Sequence, residues 1–138
     1  MSKIEERKIS EMRKQAVIEA FFDTLTKMRK DNPNISLGEV IKEAVKSSAP
    51  RFYVSFENTR RFISLLARKK RLPIKNSNRV AMYKEIYARY LKRIKEQCCN
   101  YTILESILEE PAPSFYIDEG TFKGLLYRSI RERRRAFA

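Results

Sequence analysis

The chain has 138 residues, with 30 Lys and Arg against 17 Asp and Glu, no histidine, and a formal charge of +13. That length suits one compact domain or two small ones, and an apolar content of 43% is enough for a core, which argues against general disorder. Three glycines and five prolines argue against a turn-rich all-β fold, and no apolar run approaches the ~20 residues of a membrane span.

In chain order, residues 3–30 form the first expected helix. Val17, Phe21, Leu25 and Met28 recur at helical spacing, and Ile18 and Phe22 widen the stripe. Asp31-Asn32-Pro33-Asn34 stops it, because a residue before proline is pushed out of the α region. Ser36-Leu37-Gly38-Glu39 is a capping-box pattern, and Leu37, Val40, Ile41, Ala44 and Val45 then trace one face of a second helix. Ser47-Ser48-Ala49-Pro50 ends it, Arg51-Phe52-Tyr53-Val54 reads as extended, and Ser55 can cap a third helix with Thr59, Phe62, Ile63 and Leu66 inward. Leu72 to Asn78 is a connector. A fourth helix is expected from about Arg79 to Gln97, with Tyr83, Ile86, Tyr87, Tyr90, Leu91 and Ile94 inward, and a short fifth from Thr102 to Glu109. Pro111-Ala112-Pro113 stops the fifth, and Asp118 can cap a sixth whose stripe is Phe122, Leu125, Leu126 and Ile130. The expected fold is all-α with about six helices.

A shift of 63 residues lays Ala49-Pro50-Arg51-Phe52-Tyr53-Val54-Ser55 over Ala112-Pro113-Ser114-Phe115-Tyr116-Ile117-Asp118. The flanking apolar stripes stay in phase: Val40-Ile41 falls over Ile103-Leu104, and Phe62-Ile63 over Leu125-Leu126. This pattern predicts two pseudo-repeated three-helix units, one at 1–72 with a long first helix and one at 79–138, joined by a connector at 73–78 or fused through one core. Within the shared motif, Pro50 and Pro113 end helices, Phe52 and Phe115 plug a core, and Ser55 and Asp118 start the next helices. Tyr53 and Tyr116 each carry a polar end that can bond within the core or reach a phosphate.

Charge is unevenly placed. Residues 51–100 carry 14 basic and 3 acidic side chains, 101–122 carry 5 acidic and none basic, and 123–138 carry 6 basic and one acidic. Concentrated basicity is the electrostatic footprint of a polyanion binder. The adjacent Cys98 and Cys99 are poorly placed to bridge one another, and no second Cys or His pair could complete a zinc site, so no metal or cofactor is expected. Without histidine there is no Ser-His or Cys-His pair and the commonest general base is missing, and no spacing points to carboxylate or lysine chemistry, so an enzyme is not expected. Glu5 and Glu6 stand where a signal peptide would be basic and then apolar, so the expected location is the cytoplasm, or a viral particle in which the protein is packaged.

Three short helices, the last capped and basic on its outer side, resemble the layout of helix-turn-helix DNA-binding modules, in Ser36 to Arg71 and again in Thr102 to Arg135. The linker between second and third helices is about eight residues, longer than the simplest turn. The resemblance implies that each third helix meets the major groove. With the apolar stripe inward, Arg60, Arg61, Ser64 and Arg68 are left outward in the first unit, and Lys123, Tyr127, Arg131, Arg134 and Arg135 in the second. Lys69, Lys70, Arg71, Lys75 and Arg79 add phosphate contacts. Arginine suits this work because its planar fork pairs with phosphate or with guanine O6 and N7. The expected function is therefore non-enzymatic binding of nucleic acid, double-stranded DNA ahead of RNA. The alternative is a protein–protein adaptor or structural component of a mobile-element or viral particle whose basic faces bind acidic partners, one route being self-association through the acidic 101–122 and basic 51–100 segments. No membrane partner is expected.

Overall fold

The computed structural model describes residues 3–95 and 100–136. They form six helices: α1 (Lys3–Asp31), α2 (Leu37–Ala44), α3 (Phe56–Ala67), α4 (Ser77–Ile94), α5 (Asn100–Leu108) and α6 (Glu119–Ala136). Among the described residues there is no strand beyond a single antiparallel bridge, Ala49 to Ala112, and no helix is long and apolar enough to cross a membrane. Cys98 and Cys99 lie outside the described residues, as does the expected end of the fourth helix at Gln97.

The helix starts follow from their caps. Ser36 Oγ accepts from Glu39 N at 3.3 Å, Ser55 Oγ from Asn58 N at 3.2 Å, and Asp118 Oδ1 from Thr121 N at 2.7 Å. Each satisfies a backbone donor that the first helical turn leaves open. α4 begins two residues before Arg79 because Asn76 caps it, taking Asn78 N at 2.9 Å and Arg79 N at 3.2 Å. α3 ends at Ala67, so Lys69 to Arg71 follow the helix rather than forming its last turn. Lys69 N bonds Leu66 O at 3.0 Å and Lys70 N bonds Leu65 O at 2.9 Å, the paired closure of a Schellman motif. Lys69 therefore sits at φ 58, in the left-handed region. A side chain costs about 1 kcal/mol there and glycine costs little. Lys69→Gly is expected to stabilise the protein by about 0.5–1 kcal/mol, read as a raised urea midpoint at unchanged slope, whereas Lys69→Ala should bring no such gain.

Packing pairs α1 with α2 and α6, α4 with α3 and α5, α3 with α5, and α2 with α6. Among the described residues the backbone of α3 packs on neither α1 nor α2, and that of α6 on neither α4 nor α5. The helix-turn-helix layout drawn along the chain is thus corrected: each third helix leaves the two before it and completes a group with the first two helices of the other half. The boundary at 72/79 does not separate packing units, and the buried apolar side chains form one continuous cluster.

The cause lies in the two Ala-Pro segments. They meet antiparallel at one point and bend directly after it, at Pro50–Arg51 and Pro113–Ser114, with Tyr116 at φ 54 in the left-handed region: Ala49 N bonds Ala112 O at 3.0 Å, and Ala112 N bonds Ala49 O at 2.9 Å. Beside that bridge Phe52 stacks on Tyr116 with centroids 6.2 Å apart, and Tyr53 stacks on Phe115 at 6.3 Å. Exchanging every residue for the one 63 positions away returns the same bridge and the same two stacks. Phe52 and Phe115 are buried, and Pro50 and Pro113 are exposed outside them. A linker crossing at this point carries the next helix away from its own half.

Most expected core positions are buried, including Val17, Phe21, Leu25, Val40, Ile41, Ala44, Thr59, Phe62, Ile63, Tyr83, Ile86, Phe122, Leu125 and Leu126. Phe22, Leu37 and Leu91 are not; they are 47%, 49% and 40% exposed. Phe22 touches the core only by the edge-on contact of its ring with Phe21 at 5.2 Å, Leu37 occupies the first position of α2, and Leu91 lies outside the face that α3 and α5 cover on α4. Met82 takes the buried place instead, while Leu66, Tyr87, Tyr90, Ile94 and Ile130 are half-buried.

Candidate nucleic-acid interface

α3 positions the first cluster. Burial of Thr59, Phe62 and Ile63 turns Arg60, Arg61, Ser64 and Arg68 outward, and all four are exposed. They line one open groove of about 730 Å³ whose other walls include Pro73, Tyr90, Tyr101 and Leu104. The groove thus runs along α3 between the end of α4 and the start of α5. Its acid is Glu57, which accepts from Arg60 Nη2 at 3.2 Å with both side chains about half exposed; that hydrogen bond raises the Arg60 pKa above its ordinary value. Such an exposed pair is weak and easily exchanged for a phosphate. The Arg61 guanidinium stacks over the Phe62 ring at 4.8 Å, and Arg68 Nε donates to Ser64 O at 3.4 Å. Both contacts hold the arginine stems against the helix and leave donors facing water.

Lys69, Lys70, Arg71 and Lys75 are exposed on the segment after α3. Arg79 is exposed in the first turn of α4 and borders two further cavities. Burial pushes the Tyr83 hydroxyl above the usual phenol range, and the Arg79 guanidinium beside it, by hydrogen bonding and then by charge, works in the opposite direction, followed by the charge of Arg61.

On α6, Lys123, Tyr127, Arg131, Arg134 and Arg135 are all exposed. Lys123 Nζ sits 5.7 Å from the Tyr127 ring centre, so this tyrosine already carries a cation. Arg133, unmarked by the sequence reading, donates to Gln15 Oε1 at 2.6 Å, and Lys14 reaches Glu132 at 3.3 Å; these contacts pin α6 to α1. α3 and α6 do not pack on each other, and each lies against a different helix pair. Phe52, Tyr53, Phe115 and Tyr116 form the crossing described above. There burial raises the pKa of Tyr53 and Tyr116.

The acidic segment meets the basic one inside the chain. Glu110 is held by Arg89 Nη1 at 3.3 Å and by Arg93 Nη2 at 2.7 Å, and the hydrogen bond from Arg93 holds its carboxyl below the usual range. Asp118 is occupied by the Thr121 backbone and hydroxyl, which lower its pKa. Glu105, Glu109 and Glu119 remain exposed.

Sequence reasoning missed Arg13 on α1, half-buried with its Nε closed off from solvent and without a hydrogen-bond partner. A signal was present: Arg13 precedes Val17, Phe21 and Leu25 at the same spacing of four, so a cation occupies the next position of an apolar stripe. Together these observations define an all-α protein with an arginine-lined groove. No protein-family model matches the sequence, and comparison with curated proteins and with solved structures found no significant match.

Proposed function

We propose that this protein binds nucleic acid, with duplex DNA as its principal partner, and does so without catalysing a reaction on it. The carrying observation is the α3 groove, where Arg60, Arg61 and Arg68 stand outward beside Ser64 with only the loosely paired Glu57 among them. Its shallow, open form suits a backbone lying across it, and planar guanidinium forks suit phosphate oxygens and guanine edges. Lys69 to Arg71, Lys75 and Arg79 extend the same charge along the chain. The correspondence at 63 residues, together with the matching contacts at the crossing, supports reading the two halves as repeats with α6 as the counterpart of α3. On that reading Lys123, Tyr127, Arg131, Arg134 and Arg135 supply a second contact region, and covalent linkage of the two raises their effective concentration on one duplex.

An adaptor role through docking of the acidic segment on another copy is the weaker reading. Glu110 already serves Arg89 and Arg93 of its own chain, and Asp118 caps its own helix.

The test is the salt dependence of duplex binding. Each neutralised phosphate releases counterions and contributes about −0.9 to the slope of log K against log salt. Engagement of about four to eight of the named cations gives a slope of about −4 to −7, measured by fluorescence anisotropy between low and moderate salt. A flat profile, or a discrete oligomer that excludes DNA, would overturn the assignment.

A further inference from the structure

Two cavities of about 160 and 320 Å³ adjoin the aromatic crossing and share the walls Arg13, Tyr53, Arg79 and Met82. We propose that this cleft is a discrete site for a phosphoryl group, a tetrahedral oxyanion held between the guanidinium groups of Arg13 and Arg79. The site is separate from the α3 groove and does not depend on the nucleic-acid reading.

The argument begins with charge placed where charge is disfavoured. Arg79 is the third residue of α4, an 18-residue helix, and the N-terminal end of a helix carries positive partial charge that repels a cation. Arg13 comes from α1 and is partly withdrawn from water, its Nε without any partner. Burial, and after it the charge of Arg79, lower the Arg13 pKa. Two guanidinium groups thus line one cleft, an arrangement that an anion between them reverses from repulsion to attraction.

Neighbouring groups agree with that ligand. Arg51 and Ser114 border the smaller cavity, and Ser10 and Asn58 the larger, giving a third cation together with hydroxyl and amide donors. Two acids border the cleft. Asp118 spends its carboxylate on the Thr121 backbone and hydroxyl. Glu6 is exposed on α1 two turns before Arg13, about 10 Å along the axis. Neither forms an ion pair with Arg13 or Arg79 among the described residues. Tyr53 stands on the shared wall, and its phenol is a further neutral donor.

Inorganic phosphate is the probe, added to the intact protein at constant ionic strength against chloride, with melting temperature and calorimetric heat as readouts. Wild type is expected to gain thermal stability with phosphate, and Arg13→Gln and Arg79→Gln are each expected to weaken the response at least tenfold. Lys42→Gln, which removes one charge from an exposed position on α2, should respond as wild type does. In chloride alone Arg13→Gln should melt no lower than wild type, because a cation opposed by a cation has been removed. If Arg13→Gln fails to fold, the exposed Arg79→Gln decides. Equal responses from wild type and both cleft variants, or no response from wild type, would overturn the site. A duplex that competes with phosphate identifies the source as a nucleic-acid backbone, and one that leaves phosphate affinity unchanged identifies a free phosphorylated ligand; either result upholds the site. Loss of the α3 reading would leave the phosphate titration intact.

Discussion

Truncation of Phe52 or Phe115 to alanine is expected to cost about 3–5 kcal/mol in each case, the usual cost of emptying a buried phenylalanine site. Both rings are buried, at 1% and 5% exposure. Phe52 has Tyr116 stacked beside it and the Arg89 guanidinium 5.0 Å from its ring centre. Phe115 lies between Tyr53 and the edge-on ring of Phe122 at 5.8 Å. The chain is only marginally stable, as domains of this size are, so either loss is a large fraction of the total and should lower the melting temperature by roughly 10–20 °C. The shape of the transition is as informative as its midpoint. Because α3 packs on α4 and α5 while α6 packs on α1 and α2, neither half holds its own third helix, and both variants should melt in one cooperative step. Two resolved transitions, with only one of them moved by each substitution, would mean that residues 1–72 and 79–138 fold separately. Near-neutral effects from both would remove the crossing from the core altogether.

Local structure was legible because it depends on local chemistry. Ser36, Ser55 and Asp118 cap the helices their positions announce, since a side-chain oxygen three residues before an open backbone donor has little else to do. Asn76 escaped notice because the run Asn76-Ser77-Asn78 reads equally as a turn. Apolar spacing located the buried face of each helix but overextended it at Phe22 and Leu91, where the neighbouring helices are too few to cover the full width of the stripe. Partner choice was not legible. Val40 and Ile41 are apolar whichever helix they meet, and nothing in the periodicity of α3 records that it joins α4 and α5. The decisive element was the Ala-Pro-x-Phe-Tyr segment, visible as a repeated motif, two copies of which pair at Ala49 and Ala112 to make a crossing. For the interface, outward arginines on α3 followed directly from the inward stripe. Arg13 did not, because an isolated cation in an apolar register has meaning only once Arg79 stands opposite.

Charge reversal of the α3 surface, Arg60→Glu with Arg61→Glu and Arg68→Glu, should reduce duplex affinity at least 100-fold, or about 2.8 kcal/mol at 1.4 kcal/mol per decade. Three attractive phosphate contacts are lost, and three carboxylates then face a polyanion across the same groove. The fold should survive, since all three side chains are exposed and none enters the apolar cluster. Local costs can be anticipated one by one. Arg60→Glu sets two carboxylates three residues apart with Glu57, a weak and solvent-screened repulsion. Arg61→Glu forfeits the contact over the Phe62 ring, about 0.5–1 kcal/mol at an exposed site. Arg68→Glu puts a negative charge at the negative end of α3, again about 0.5 kcal/mol. The combined loss is about 1–2 kcal/mol, so the circular-dichroism spectrum should be unchanged and the melting temperature only modestly lower. The neutral set, Arg60→Gln with Arg61→Gln and Arg68→Gln, should lie between wild type and the reversed protein in affinity, with a salt slope shallower by about three. Affinity that falls only in step with stability would make these arginines structural; unchanged affinity with an intact fold would place the nucleic-acid surface elsewhere, with the exposed cations of α6 as the next candidates.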